Sequence, residues 1–163
     1  MRFRLALSIL IALALAASLA AQTKLSGTLE CQKSDPVYSI PVGDRPDHVL
    51  TLSKTKCTWA KPPQIAGLAA KEHEYTASGD VAGSRLRTRT AAFGTMANGD
   101  RYFTVTQGTG AMKEGVAQTV EGTWSYTGGT GKLKGLKGKG TFKGKAAPDG
   151  TSTIEVEGEY QLP

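Results

Sequence analysis

The chain has 163 residues, of which 39% are hydrophobic, and a formal net charge of +6. Seventeen hydrophobic residues fall in the first 21 positions and all 20 glycines fall after them. The rest of the chain is only about one third apolar, which is too glycine-rich for a helical bundle and too short for two ordinary domains. It is still long enough to bury a core, so one small β-rich domain is the expectation.

The chain opens with Met1, Arg2, Phe3 and Arg4, a positive start. An apolar run over residues 5–15 comes next, interrupted only by Ser8, and Ser18 and Ala20 are small residues at the positions a signal peptidase reads. This pattern predicts a secretory signal peptide over residues 1–21, with processing near Ala20 or Ala21, and a mature domain over residues 22–163. A retained anchor needs about 20 strongly apolar residues, whereas this segment is alanine-rich and passes at once into Gln22, Thr23 and Lys24. The first cysteine, Cys31, is too far from the cut to carry a lipid. The expected location is secreted or periplasmic, with no membrane span elsewhere.

Cys31 and Cys57 are the only cysteines. In an exported chain a single possible pair is expected to oxidise, the alternative being two buried thiols. Closing that loop stabilises a small core by roughly 3 kcal/mol in the chain-entropy account. Two cysteines without a CxxC pair or a nearby histidine do not make a closed zinc site, so no metal and no cofactor is expected.

Along the mature chain apolar residues recur with period two, and no helical stripe emerges. Leu25, Gly27, Leu29 and Cys31 share one face of a first strand. Tyr38, Ile40 and Val42 alternate around Pro41, which suits an edge strand. Residues 43–47 are loop chemistry, and residues 48–59 predict a longer strand that Pro62 and Pro63 end. Residues 64–70 read as one helical turn or an irregular crossover. Beyond them His73, Tyr75 and Ala77 oppose Glu72, Glu74 and Thr76, and Arg85, Arg87 and Arg89 alternate with Leu86, Thr88 and Thr90. Asn98-Gly99 is a strong hairpin turn signal. A glycine-broken loop is expected over residues 108–115. Further strands are expected over 120–127, 137–146 and 151–162, with a turn at residues 128–131. Eight to ten strands at this spacing predict a single antiparallel β-barrel of about eight strands, a sandwich being the alternative.

Six lysines between Lys132 and Lys145, with no acid among them, invite a nucleic-acid reading. The terminal turn argues against it. Ala147, Pro148, Asp149, Gly150 and Thr151 fit a type I turn with a left-handed bulge residue at Gly150, which pairs Ala147 with Thr151. Counting outward, Lys143 meets Glu155, Thr141 meets Glu157 and Lys139 meets Glu159. A slip of one residue would instead set lysines against Ile154 and Val156. The lysines thus share a face with glutamates, and no nucleic-acid partner is expected. Gly131-Lys132, Gly138-Lys139 and Gly144-Lys145 all lack the glycine five residues earlier and the following Ser or Thr of a phosphate loop.

Asp44, Asp47 and His48 are close enough in sequence to form an acid/base cluster, but turn-forming aspartates and half-exposed histidines are the plainer reading. His73 points away from Glu72 and Glu74 in a strand. No nucleophile elbow and no HExxH motif is present, and no catalytic residue is assigned.

The stretch GTWSYTGGTGKLKGLKGKGTFKG, beginning at Gly122, resembles a pattern of small exported bacterial proteins of unknown function. Residues 119–162 are also similar to the glycine-punctuated hairpin of allene oxide cyclase and dirigent barrels. The resemblance implies a closed barrel and, for the cyclases, a lumen activity of isomerase or cyclase type, though none of their functional residues maps onto this chain. Alternation turns Trp124, Tyr126, Phe142 and Tyr160 inward around a space that neighbouring glycines leave unfilled. These four are the candidate ligand-binding residues for a small apolar ligand, in a protein read as non-enzymatic; the alternative is that the rings pack the core.

Overall fold

The computed structural model describes residues 22–163; the predicted signal peptide lies outside the described residues. Ten strands form: β1 (Thr23–Cys31), β2 (Val37–Pro41), β3 (His48–Lys61), β4 (Gln64–Ile65), β5 (Leu68–Ala82), β6 (Arg85–Met96), β7 (Arg101–Lys113), β8 (Val116–Gly129), β9 (Lys137–Ala146) and β10 (Ser152–Gln161). A 3-10 turn, Gly131–Leu133, links β8 to β9. Eight strands run antiparallel in the order β3, β1, β10, β9, β8, β7, β6, β5, and pairing of β5 with β3 closes the barrel. Closure removes the sheet edges that an open sheet of this size would expose.

The two extra strands sit at opposite ends. Beyond the end of β1, β2 pairs with the first half of β3, and its exposed Pro41 fits an edge. At the other end β4 folds back on the start of β5, so residues 64–70 are a tight hairpin rather than a helical turn. Ala66 and Gly67 adopt positive φ there.

The terminal hairpin has the register set by its turn. Gly150 takes φ +87° and Ala147 N–H donates to Thr151 O at 2.8 Å. Glu155 then faces Lys143, Glu157 faces Thr141 and Glu159 faces Lys139. Glu159 also accepts from Lys24 of β1 at 3.3 Å on the solvent face.

The expected loop over residues 108–115 is instead continuous strand. Here β7 runs through Gly108 and Gly110, which pair with Gly122 and Val120 of β8, and turns only at Glu114 and Gly115. A side chain at Gly110 would meet the β8 backbone, so glycine serves close strand approach here.

The largest buried cluster closes one end of the barrel. Ile65 from the β4 hairpin and Leu133 and Leu136 from the β8–β9 link pack onto Leu25, Met96, Tyr102, Trp124 and Tyr160. A second cluster, Leu29 with Cys31 and Cys57, lies further along the barrel against Trp59, Tyr75 and Ile154. Cys31 and Cys57 are cross-strand partners of β1 and β3 and form a disulfide. Among the described residues no helix is long and apolar enough to cross a membrane.

Candidate functional site

Above the closed end the barrel keeps a lumen of about 270 Å³. Period-two alternation delivers its lining. On β3, Thr51, Ser53 and Trp59 point inward; on β5, His73, Tyr75 and Ala77; on β6, Thr88 and Thr90; on β7, Tyr102, Thr104 and Thr106. The opposite wall is Val120, Trp124 and Tyr126 of β8, Phe142 of β9, Ile154 and Val156 of β10, and Leu25 and Leu29 of β1. At the far end a depression of about 450 Å³ opens over the lumen, bordered by Val37, Val116 and Asp149, and shares Leu86, Val120 and Ile154 with it. A larger hollow of about 900 Å³ lies along the outer wall among Lys24, Gln107, Lys139 and Glu159. It is a groove of the charged solvent face, and the enclosed lumen is the better ligand site.

Of the four aromatics singled out by alternation, Trp124, Tyr126 and Phe142 line the lumen. Tyr160 lies below it in the packed floor, where its hydroxyl accepts from Ala66 N–H at 3.4 Å. The glycines beside these rings do not leave the space open. Trp124 lies over Gly158, where an added Cβ would come within 2.6 Å of the indole, and Tyr126 covers Gly138 at 2.9 Å. The indole N–H donates to the backbone carbonyls of Thr141 and Glu157 at 3.1 and 3.2 Å, which fixes the ring flat on β9 and β10. Trp124 and Tyr126 meet edge to face with centroids 4.9 Å apart. Glycine on the wall therefore makes room for rings, and the rings leave the lumen above them.

Alternation alone does not single out the polar part of the floor. Trp59 Nε1 donates to the Tyr102 hydroxyl at 3.1 Å, and that hydroxyl lies 3.1 Å from His73 Nδ1. An indole N–H can only donate, so the Tyr102 oxygen accepts from Trp59, and the direction of its bond to His73 Nδ1 is set by the imidazole tautomer. Burial pushes the His73 pKa down to about 4 and the Tyr102 phenol up. Tyr126 is also raised, by burial first and by the neighbouring Tyr102 and Tyr160 second. Gly94 has no side chain because the Tyr102 ring occupies that position. The signal in the sequence is the alternation that sets His73 apart from Glu72 and Glu74, since it puts His73 on the face of Tyr75 and Ala77. His73 is half-buried, as expected, with Trp59, Tyr75 and Tyr102 around its ring.

One buried hydroxyl in the barrel wall is unpaired. Thr104 Oγ1 is buried and has no hydrogen-bond partner among the described residues, whereas Thr90 and Thr106 bond each other at 2.8 Å and Ser34 bonds Thr55 at 2.7 Å.

His48 has a different role. Its Nδ1 lies 2.5 Å from Asp44 and its Nε2 3.1 Å from Asp80, while Arg45 also reaches Asp44 at 3.1 Å. The His48 bond holds the Asp44 carboxyl below its ordinary value. Asp47 stays out of this set and makes the turn with φ +58°. With both ring nitrogens engaged and no place in the lumen lining, His48 ties the β2–β3 loop to the end of β5. Among the described residues no group of three His, Cys, Asp or Glu side chains is gathered to hold a metal.

These features define a closed eight-stranded antiparallel barrel with a lumen that is aromatic at its base. No protein-family model matches the sequence, and no curated protein matches it. Among solved structures, the chain is similar to a protein of unknown function from the DUF3224 family of Shewanella oneidensis MR-1. The two are 17% identical with a TM-score of 0.48, over 88% of this chain and 100% of that one. It is also similar to a pyocyanin demethylase at 15% identity and a TM-score of 0.43, over 82% and 98% of the respective chains. At this distance neither likeness bears on what the present chain binds or does.

Proposed function

We propose that the protein is exported and binds a small, flat, largely apolar molecule in the barrel lumen without transforming it. The observation that carries this reading is the lumen itself: about 270 Å³ bounded by Trp124, Tyr126 and Phe142, closed at the base and approached from the mouth. A chain with so few large apolar residues gains stability by filling its interior, so a retained lumen is a feature to be explained by occupancy. The disulfide supports export to an oxidising compartment, in line with the predicted signal peptide. No nucleic-acid partner is proposed, because the β9 lysines face the β10 glutamates across the hairpin.

Trp59 and Trp124 both line the lumen, so intrinsic fluorescence is the direct readout. Titrating the mature protein with a panel of small aromatic and isoprenoid compounds is expected to give saturable quenching with one-site stoichiometry. Quenching by none of them up to millimolar concentration would overturn the reading.

A lumen enzyme of isomerase or cyclase type, which the terminal hairpin's resemblance to allene oxide cyclase suggests, is the second reading. The observation favouring it is the His73–Tyr102 pair at the lumen base. Mass spectrometry on any compound that quenches separates the two, because conversion that is lost in His73→Gln would favour the enzyme.

A further inference from the structure

The outer wall near the mouth carries an exposed apolar patch. Among the described residues nine large apolar side chains stand exposed, and six of them, Val37, Tyr38, Ile40, Val42, Leu50 and Leu52, lie on or beside β2 and on the facing half of β3. Thr51 and Ser53 line the lumen, so Leu50 and Leu52 alternate onto the outside. The register sets Tyr38 beside Leu52 and Ile40 beside Leu50, which joins the four into one patch. Tyr38 is 60% and Ile40 68% exposed, and a cluster of this kind on a folded surface marks a place where something docks.

The same rows run on into cations. Across β5, Leu52 faces Ser78 and Leu50 faces Asp80, and these in turn face Arg89 and Arg87 of β6, with Arg85 at the next outward position. All three arginines are exposed, and among the described residues none of them is in a salt bridge. Asp80 is held by His48 at 3.1 Å, and Asp44 by His48 and Arg45. A strand added to β2 does not account for this face. Val42 N–H points to β3, so the neighbouring position on the free edge is Pro41, which has no N–H to pair. A second copy laid on the face would cover the guanidinium groups with no row of carboxylates to receive them.

We infer that this face rests on an anionic phospholipid surface. Tyr38, Ile40, Leu50 and Leu52 enter the boundary between headgroups and acyl chains, and Arg85, Arg87 and Arg89 bond the lipid phosphates. The face lies outside the lumen, so the inference is independent of the proposed ligand.

Sedimentation of the mature protein with lipid vesicles tests this. Binding to vesicles of mixed phosphatidylglycerol and phosphatidylcholine is expected to be about tenfold stronger than to phosphatidylcholine alone, an advantage lost in about 0.5 M salt. Arg87→Gln with Arg89→Gln is expected to weaken binding about tenfold and to flatten its salt dependence. Ile40→Thr with Leu50→Thr is expected to weaken it by a similar factor while the salt dependence persists. Lys139→Gln with Lys143→Gln removes the same charge from β9, on the opposite side of the barrel, and is expected to change binding by less than about twofold. Melting temperatures confirm that each variant folds. No preference for the anionic vesicles, equal losses in the β6 and β9 variants, or undiminished binding by the Ile40→Thr, Leu50→Thr variant would overturn the inference. So would a dimer in vesicle-free solution that the Ile40→Thr, Leu50→Thr change abolishes, which would give the face to a second copy of the chain.

Discussion

The two ends of the barrel differ in how they are filled. At the floor, Ile65 and Leu133 are fully buried and Leu136 is 1% exposed, three aliphatic side chains delivered largely by the connections between the long strands. At the mouth, Val37 is 56% and Val116 44% exposed. A chain about one third apolar lacks the residues to pack both ends, and it concentrates them at one. Between the two, the Cys31–Cys57 bond ties β1 to β3 where side-chain packing thins out. Cohesion at one end is what allows the other to stay open.

The sharpest way to break this contrast is to weaken the floor. Leu133→Ala is expected to destabilise the fold by about 2–5 kcal/mol, the range for truncating a fully buried leucine, whereas Val116→Ala at the mouth is expected to stay within about 0.5 kcal/mol. Urea unfolding of both variants checks this; equal losses would show that the mouth shares the load.

A smaller effect comes from His73. Its folded value of about 4 lies below the ordinary 6.5, so above pH 6.5 both folded and unfolded states hold it neutral and its environment costs nothing. As pH falls from 6.5 to 4 the unfolded chain takes up a proton that the folded state refuses. Stability therefore drops over that window, by up to about 3 kcal/mol in total. The difference between the parent and His73→Gln, measured as unfolding free energy against pH, is expected to disappear as a slope above pH 6.5 and to appear below it.

The smallest effects lie in the terminal hairpin near the mouth. Gly150→Val is expected to cost about 1–2 kcal/mol, since a β-branched residue resists φ +87°. Lys143→Ala, which removes one half of an exposed cross-strand pair, is expected to change stability by less than about 0.5 kcal/mol. Thermal melts that reversed this order would mean that charge pairing rather than the turn holds the register.

The hairpin and the lumen base mark how far the sequence can be read. Lys143 beside Glu155 follows from the turn, because a loop of known length fixes every pair outward from it. The inward faces of Trp124, Tyr126 and Phe142 follow from period two in the same way. Tyr160 obeys the same alternation yet lies in the floor, since alternation gives a side and not a depth along the axis. The strand through Gly108 and Gly110 reads as a loop because glycine signals turns in sequence. Only the facing Gly122 and Val120 on β8 make it a site of close strand approach.

The amino-acid sequence by itself determined an all-β domain, the cysteine pair, the lysine–glutamate face of the last hairpin and the inward side of most strands, all of which are local consequences of chain geometry. Tertiary structure alone decided three things: that β5 pairs with β3 to close the barrel, that Ile65, Leu133 and Leu136 meet beneath it, and that Trp59, Tyr102 and His73 join into one hydrogen-bonded set. These contacts bring together residues far apart in the chain, and no local pattern encodes which distant partner each will find.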